Sequence, residues 1–260
     1  MKKYCLALLL AAISIYQVYA QDQVNEPVFK TGEKLGYKLK YGIFTAAEAH
    51  LRVEDSPVKF DNQPGYHIIA DGFTAGTFDI FYKVRNRYES FIDQKTLLPN
   101  FYTENRHESN YKHTDKVTFD HDKNVIKAIK GSYPFSGKVF DFVSAYYFAR
   151  CLDISKLKIG EKIELKYFLD DGIQALTVTY LGKEKMKCSM GTFNCLKFNP
   201  TIIPGRIFRK DSKLYLWITD DNNRIPVKAR VELVVGSLTM DLISASGVKY
   251  PLNPVSGDTD

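Results

Sequence analysis

An all-β, antiparallel fold is predicted, with two related curved β-meander halves forming a barrel-like body around one buried helix. Three observations lead there. Most of the chain alternates polar and apolar residues in short runs between Gly, Pro, Asn and Asp turns, the period-two pattern of half-buried strands. Residues 140–152, FDFVSAYYFARCL, break that pattern: they are apolar almost all the way round, and a helix without a polar side is a buried one. The strands after this stretch also echo those before it.

In chain order, residues 1–20 read as a signal peptide. Lys2 and Lys3 precede an apolar run from Cys5 to Ile15 and the small-residue cleavage pattern Val18-Tyr19-Ala20. The run is shorter than the roughly 20 residues that span a bilayer, so an exported, soluble, periplasmic protein without a membrane anchor is expected. Residues 21–260 are expected to form a single β domain. A hydrophobic content of 45% and an aromatic content of 13% allow a substantial core. Loss of Lys2 and Lys3 lowers the formal charge from +6 to +4 (6 − 2), too little for a dedicated nucleic-acid surface.

Strands are predicted over 31–41, 47–53, 66–71, 84–93, 101–107, 111–119 and 125–129. The helix follows at 140–152, with Asp141 and Arg150 placed to complement its dipole. Strands resume over 159–167 and 175–181, in a hairpin over 186–198, and over 213–220 and 227–235. Two pseudo-repeats, about 31–130 and 159–250, are implied. Ile159–Tyr167 (IGEKIELKY) echoes Thr31–Tyr41 (TGEKLGYKLKY), Gly160 standing 128 residues (160 − 32) after Gly32. Asp220 and Pro226 follow Asp93 and Pro99 by 127 each (220 − 93; 226 − 99). Pro at a strand start and Gly at a turn are common singly, but two correspondences at nearly one offset favour duplication.

The stretches GEKLGYKLKYG (32–42), FYKVRNRYESFID with the following LLP (81–99), DFVSAYYFAR (141–150), MGTFNCLKF (190–198) and LWITDDNNRIPVKARVELVVGSL (216–238) carry a resemblance. With them the chain resembles an uncharacterised family of exported bacterial proteins, domain of unknown function 3108. The resemblance implies an envelope location and supplies no reaction, ligand or catalytic residue.

Tyr146, Tyr147 and Arg150 are the candidate ligand-binding residues, two rings lining an apolar cavity with the cation at its mouth; core packing is the other reading. Cys188 and Cys195 flank Met190-Gly191-Thr192 and would face one another in a hairpin closed at Gly191-Thr192, a candidate disulfide. Two small apolar strand residues explain them equally well. Cys151 is expected to be buried. His107, His113 and His121 lie among carboxylates, but His121 has the opposite parity, and a solvated hairpin is expected there rather than a metal site. Asp220–Asn223 reads as a turn, lacking the Gly and the distant bidentate Glu of a calcium loop.

Ser144 lacks the Gly-flanked elbow of a nucleophile, and no phosphate-binding Gly-rich loop is present. No cofactor and no enzymatic activity are expected. Arg206, Arg209, Lys210 and Lys213 form a basic loop after Pro204-Gly205, suited to solubility or to an anionic head group or polysaccharide. The favoured function is a periplasmic binding or carrier protein for an amphipathic or apolar ligand such as a lipid, because curled sheets with aromatic interiors enclose ligands. The alternative is a non-enzymatic envelope structural or interaction module that meets a protein or glycan.

Overall fold

The computed structural model describes residues 26–60, 62–201, 212–233 and 235–255. The expected signal peptide and most of the basic loop, Lys213 excepted, lie outside the described residues.

Eight strands precede the main helix: β1 (Lys34–Tyr41), β2 (Phe44–Asp55), β3 (Gly65–Thr74), β4 (Val84–Asp93), β5 (Pro99–Glu108), β6 (Tyr111–Asp120), β7 (Val125–Ala128) and β8 (Gly131–Pro134). A four-residue helix, α1 (Phe78–Phe81), interrupts the β3–β4 connection. The main helix is α2 (Phe142–Arg150), and six strands follow it: β9 (Lys162–Leu169), β10 (Gly172–Cys188), β11 (Gly191–Pro200), β12 (Leu214–Thr219), β13 (Pro226–Glu232) and β14 (Ser237–Ser246). Antiparallel pairs between sequence neighbours build each half. This part of the pattern is local, because alternating runs joined by short turns pair with what comes next.

The two halves do not form two sheets. β1 pairs along its whole length with β14, Lys34 opposite Ser246 and Tyr41 opposite Leu238, which makes one 14-stranded sheet in the order β8 to β1, then β14 to β9. The sheet curls without closing. At the seam between β8 and β9 a single parallel bridge joins Phe140 to Tyr167, flanked by Phe140 N donating to Lys166 O at 2.9 Å and Phe168 N to Phe140 O at 2.7 Å. Lys130 and Tyr133 donate to Asp171 across the same seam. An unpaired strand edge exposes free backbone groups, and the 135–140 segment covers part of this one.

The halves correspond closely. β1–β6 and β9–β14 are six-stranded meanders run in the same order. Gly32 N donates to Val53 O and Gly160 N to Tyr180 O, both at 2.8 Å; Val53 N reaches Glu33 O and Tyr180 N reaches Glu161 O, both at 2.9 Å. Gly32 and Gly160 hold φ of 94° and 90°, which only glycine adopts without strain. Two residues before each strand-opening proline, Leu97 and Arg224 take φ of 57° and 52°. Pro99 and Pro226 begin β5 and β13.

The helix is shorter than the sequence suggests, because Phe140 is drawn into the seam bridge and Cys151 forms the C-cap. Asp141 starts it with a capping box. Its Oδ1 accepts from Val143 N and Ser144 N, both at 2.9 Å, and its Oδ2 accepts from Ser144 Oγ at 2.8 Å and from Ser90 Oγ of β4 at 2.6 Å. Burial pushes the Asp141 carboxyl above its ordinary value of 3.8 against these bonds. The folded protein therefore holds this proton more tightly than the unfolded chain does. The group favours folding most below pH 3.8 and loses that contribution as pH rises through the raised folded value. Asp141→Asn should keep the cap, at least match the wild type at pH 7, and lose its relative advantage on acidification. Asp141→Ala should cost about 2–3 kcal/mol. Urea midpoints across the pH range check both; a carboxamide as damaging as alanine at pH 7 would contradict them.

The candidate disulfide is not formed: Cys151, Cys188 and Cys195 are free. The hairpin closes two residues earlier than expected, at Ser189-Met190, so Cys188 stands opposite Gly191 and Cys195 opposite Glu184. Four residues of strand lie between the two positions, about 13 Å at roughly 3.3 Å per residue, where a bridge needs Cα atoms within about 7 Å. Both are packed as apolar residues instead, and burial pushes the Cys195 thiol up to about 12.

Candidate functional site: the barrel lumen and its helix

Every odd-to-even hairpin, from β1–β2 to β13–β14, turns at one end of the sheet, here the mouth. The segment from Pro27, α2 and the even-to-odd turns lie toward the other end, the base. Sequence alternation sends one set of side chains inward: Ala47, Ala49, Leu51 and Val53 on β2 face the core while Glu48, His50, Arg52 and Glu54 face out. Along these inward rows, burial falls toward the mouth. Val53 is buried on β2, while Leu51, Ala49 and Ala47 are half-buried; Ile68 on β3 gives way to half-buried Ala70 and Gly72. β1 passes from Tyr37 to Leu39, β14 from Leu242 to Met240, and β10 from Tyr180 to Val178 and Leu176 in the same way. These inward-facing residues keep some accessible surface. The lumen, the interior of the curl, is packed at the base and less covered toward the mouth.

The floor is α2. Val143, Ala145, Tyr147 and Phe148 are packed into the core, while Phe142, Tyr146 and Ala149, spaced along one stripe of the helix, stay half-buried. Tyr88 and Tyr102 stand edge-on to Phe142, with ring centroids 4.9 and 5.9 Å away.

One wall of the lumen is polar. Even-numbered residues of β5 point inward, so Glu104, Arg106 and Glu108 follow Tyr102, with His113 from β6 beside them. Glu104 is nearly buried. It accepts from Tyr102 Oη at 2.9 Å and lies 3.1 Å from Arg106 Nε and 3.2 Å from His113 Nε2. Burial, with Glu104 adding to it, pushes the Tyr88 phenol up to about 12 and raises that of Tyr102 further. Ala47, Ala49, Ala70, Gly72, Leu39, Leu176 and Met240 make the other walls apolar. The lumen is amphipathic.

The three predicted residues come together at the floor but take different parts. Arg150 does not stand at a mouth: at 2% exposure it is buried beneath the floor. Its Nη1 and Nη2 donate to Glu33 at 2.6 and 2.9 Å, and Nε and Nη2 donate to Asn223 O at 3.2 and 3.0 Å. Its guanidinium carbon lies 5.7, 5.7 and 5.1 Å from the ring centres of Phe29, Tyr146 and Tyr147. Burial opposes its charge, and Tyr146, the Glu33 carboxylate and Tyr147 together outweigh it, holding the Arg150 pKa above the ordinary arginine value. The Tyr37, Tyr146 and Tyr147 hydroxyls crowd around this pair with no hydrogen bond of good geometry, and burial raises the pKa of each. Tyr147 is wholly buried behind the ion pair. Tyr146 alone of the three keeps accessible surface, although its hydroxyl is buried.

Sequence reading missed Glu33, Glu104 and Arg106. The last two carry a signal in their parity, two and four residues on from Tyr102. Glu33 has none, since Glu161, at the matching place in the second half, caps its own turn by accepting from Lys158 N. The three histidines part company: His113 faces Glu104, His107 faces outward on β5, and His121 Nε2 meets Pro99 O at 2.7 Å. Among the described residues, no group of three or more His, Cys, Asp or Glu is arranged to hold a metal. The 220–223 turn is a structural hub, with Asp221 Oδ1 accepting from Thr219 Oγ1, Asn223 N and Arg224 N.

An open, curled antiparallel sheet wrapped around one internal helix defines a barrel-like all-β protein. The chain belongs to the family described as Protein of unknown function (DUF3108), which it matches over residues 36–243. It is also similar to the crystal structure of a beta-barrel-like protein of domain of unknown function DUF1849 from Brucella abortus. The identity is 12% and the TM-score 0.55, over 86% of this chain and 99% of the other. A candidate lipoprotein from Parabacteroides distasonis aligns at 13% identity over 87% and 100% of the two chains, with a TM-score of 0.38. A candidate exported protein from Bacteroides fragilis aligns at 13% over 86% and 100%, with a TM-score of 0.34. No curated protein matches. Among the described residues, no helix is long and apolar enough to cross a membrane.

Proposed function

We propose that this protein is an exported, periplasmic, non-enzymatic binding or carrier protein for an amphipathic or apolar ligand held in the lumen against α2. The observation that carries the reading is the burial gradient: apolar inward residues are buried at the base and more accessible toward the mouth, with Phe142 and Tyr146 half-buried at the floor. The polar wall of Glu104, Arg106 and His113 suits the ligand's head group, and the alanine and glycine rows leave room for its apolar part. We further infer an internal duplication from the paired turns, the second half having kept the meander while the first supplied Glu33 to the helix.

The test is native mass spectrometry of protein purified from its own periplasm. The wild type should retain an amphipathic molecule. Ala49→Trp with Ala70→Trp, which fills the lumen from two neighbouring strands, should lose it while the urea midpoint changes little. A wild type that retains nothing would favour the envelope interaction module instead.

A further inference from the structure

Eleven large apolar residues among those described are exposed, and nine of them lie at the mouth; only Val58 and Ile159 lie toward the base. The densest group occupies three adjacent connections. Ile43 and Phe44 are 88% and 62% exposed on the β1–β2 turn, Ile80, Phe81 and Tyr82 are 80%, 82% and 51% exposed between β3 and β4, and Val235 is 71% exposed on the β13–β14 turn. These connections are held side by side: Ala75 N donates to Ala46 O at 3.1 Å, and Tyr41 Oη donates to Val235 O at 3.1 Å. Water-exposed apolar groups scattered singly are ordinary, but a contiguous set marks a contact surface.

We propose that the mouth is a docking collar for a lipid bilayer surface. The tips are knobs on separate turns rather than one flat face. A fluid acyl layer accepts separate knobs, while a protein partner would have to offer a matching hole for each. Behind the tips stand cations: exposed Tyr82 and Tyr111 are each followed, on the way into the sheet, by an exposed lysine, Lys83 and Lys112. That order, apolar tip, tyrosine, then lysine, matches acyl chain, interface and anionic head group. The collar also surrounds the less covered end of the lumen, so docking would place that end on the membrane.

The inference goes beyond the carrier reading and stands or falls separately. The mature protein is floated with vesicles of phosphatidylethanolamine and phosphatidylglycerol, beside vesicles of phosphatidylcholine alone. Wild type should float with the anionic vesicles. Ile43→Ser with Phe44→Ser, and Ile80→Ser with Phe81→Ser, should each weaken binding roughly tenfold or more. Val58→Ser and Ile159→Ser, toward the base, should leave it unchanged. Circular dichroism melts confirm that these surface variants fold. Wild type that stays with the buffer, equal loss in the base variants, or a dimer in sedimentation that the collar variants dissolve would overturn the proposal. A collar variant that no longer floats but still carries its periplasmic ligand would separate docking from binding.

Discussion

Arg150→Ala is expected to destabilise the protein by about 3–5 kcal/mol, the cost of leaving one member of a buried ion pair alone. Glu33 is fully buried. Its carboxylate would lose both guanidinium bonds, and Asn223 O would lose its donors. The loss would be felt at three places in the chain, since Arg150 ties the end of α2 to the turn before β1 and to the turn before β13. Glu33→Ala should cost a similar amount. The double replacement Glu33→Leu with Arg150→Met should be much milder than the two single losses added, because no charge is left stranded. Urea unfolding of the three variants decides the matter. A single variant within about 1 kcal/mol of wild type would show that the pair is solvated and that the helix is held by packing alone.

The second large effect separates the three aromatic residues in sequence on α2. Tyr147 and Phe148 are 0% and 2% exposed, and each truncation to alanine should cost about 3–5 kcal/mol. Against a total of roughly 5–15 kcal/mol for a typical domain, either is severe. Tyr147 packs edge-on to Phe29, centroids 4.8 Å apart, and Phe148 lies 4.5 Å from Phe140 at the seam. Tyr146 keeps accessible surface, so Tyr146→Ala should cost less, about 1–2 kcal/mol, and on the carrier reading it should alter ligand retention. Comparable losses at all three positions would mean a packed plug with no accessible floor. Negligible losses at Tyr147 and Phe148 would mean that the helix does not organise the fold.

Much of the secondary structure was legible because it is local. Alternation in β2, β4 and β6, the proline starts of β5 and β13, and the glycine turns at 32 and 160 are set by residues within a few places of one another. The helix was legible for a different reason: a run with no polar side has nowhere to go but inside. The incompletely covered side of the helix was legible only to the level of three names. An apolar run says that all sides are buried, and it does not say which side a neighbouring wall leaves uncovered, so Tyr146 could not be told from Tyr147.

By itself the sequence determined the all-β class, the antiparallel meanders and the single internal helix, while it left Cys188 and Cys195 open between a disulfide and apolar packing. Only the tertiary structure decided that β1 pairs β14 and so unites the halves in one sheet, since the edges of two meanders carry the same unpaired backbone groups and no local residue chooses between them. It also decided that Arg150 meets a carboxylate 117 residues away, that Asp141 is capped by a serine 51 residues away, and that one end of the lumen stays less covered. These are contacts at long sequence separation, where the partner is chosen by how the sheet curls, and curl is a sum over fourteen strands that no single segment carries.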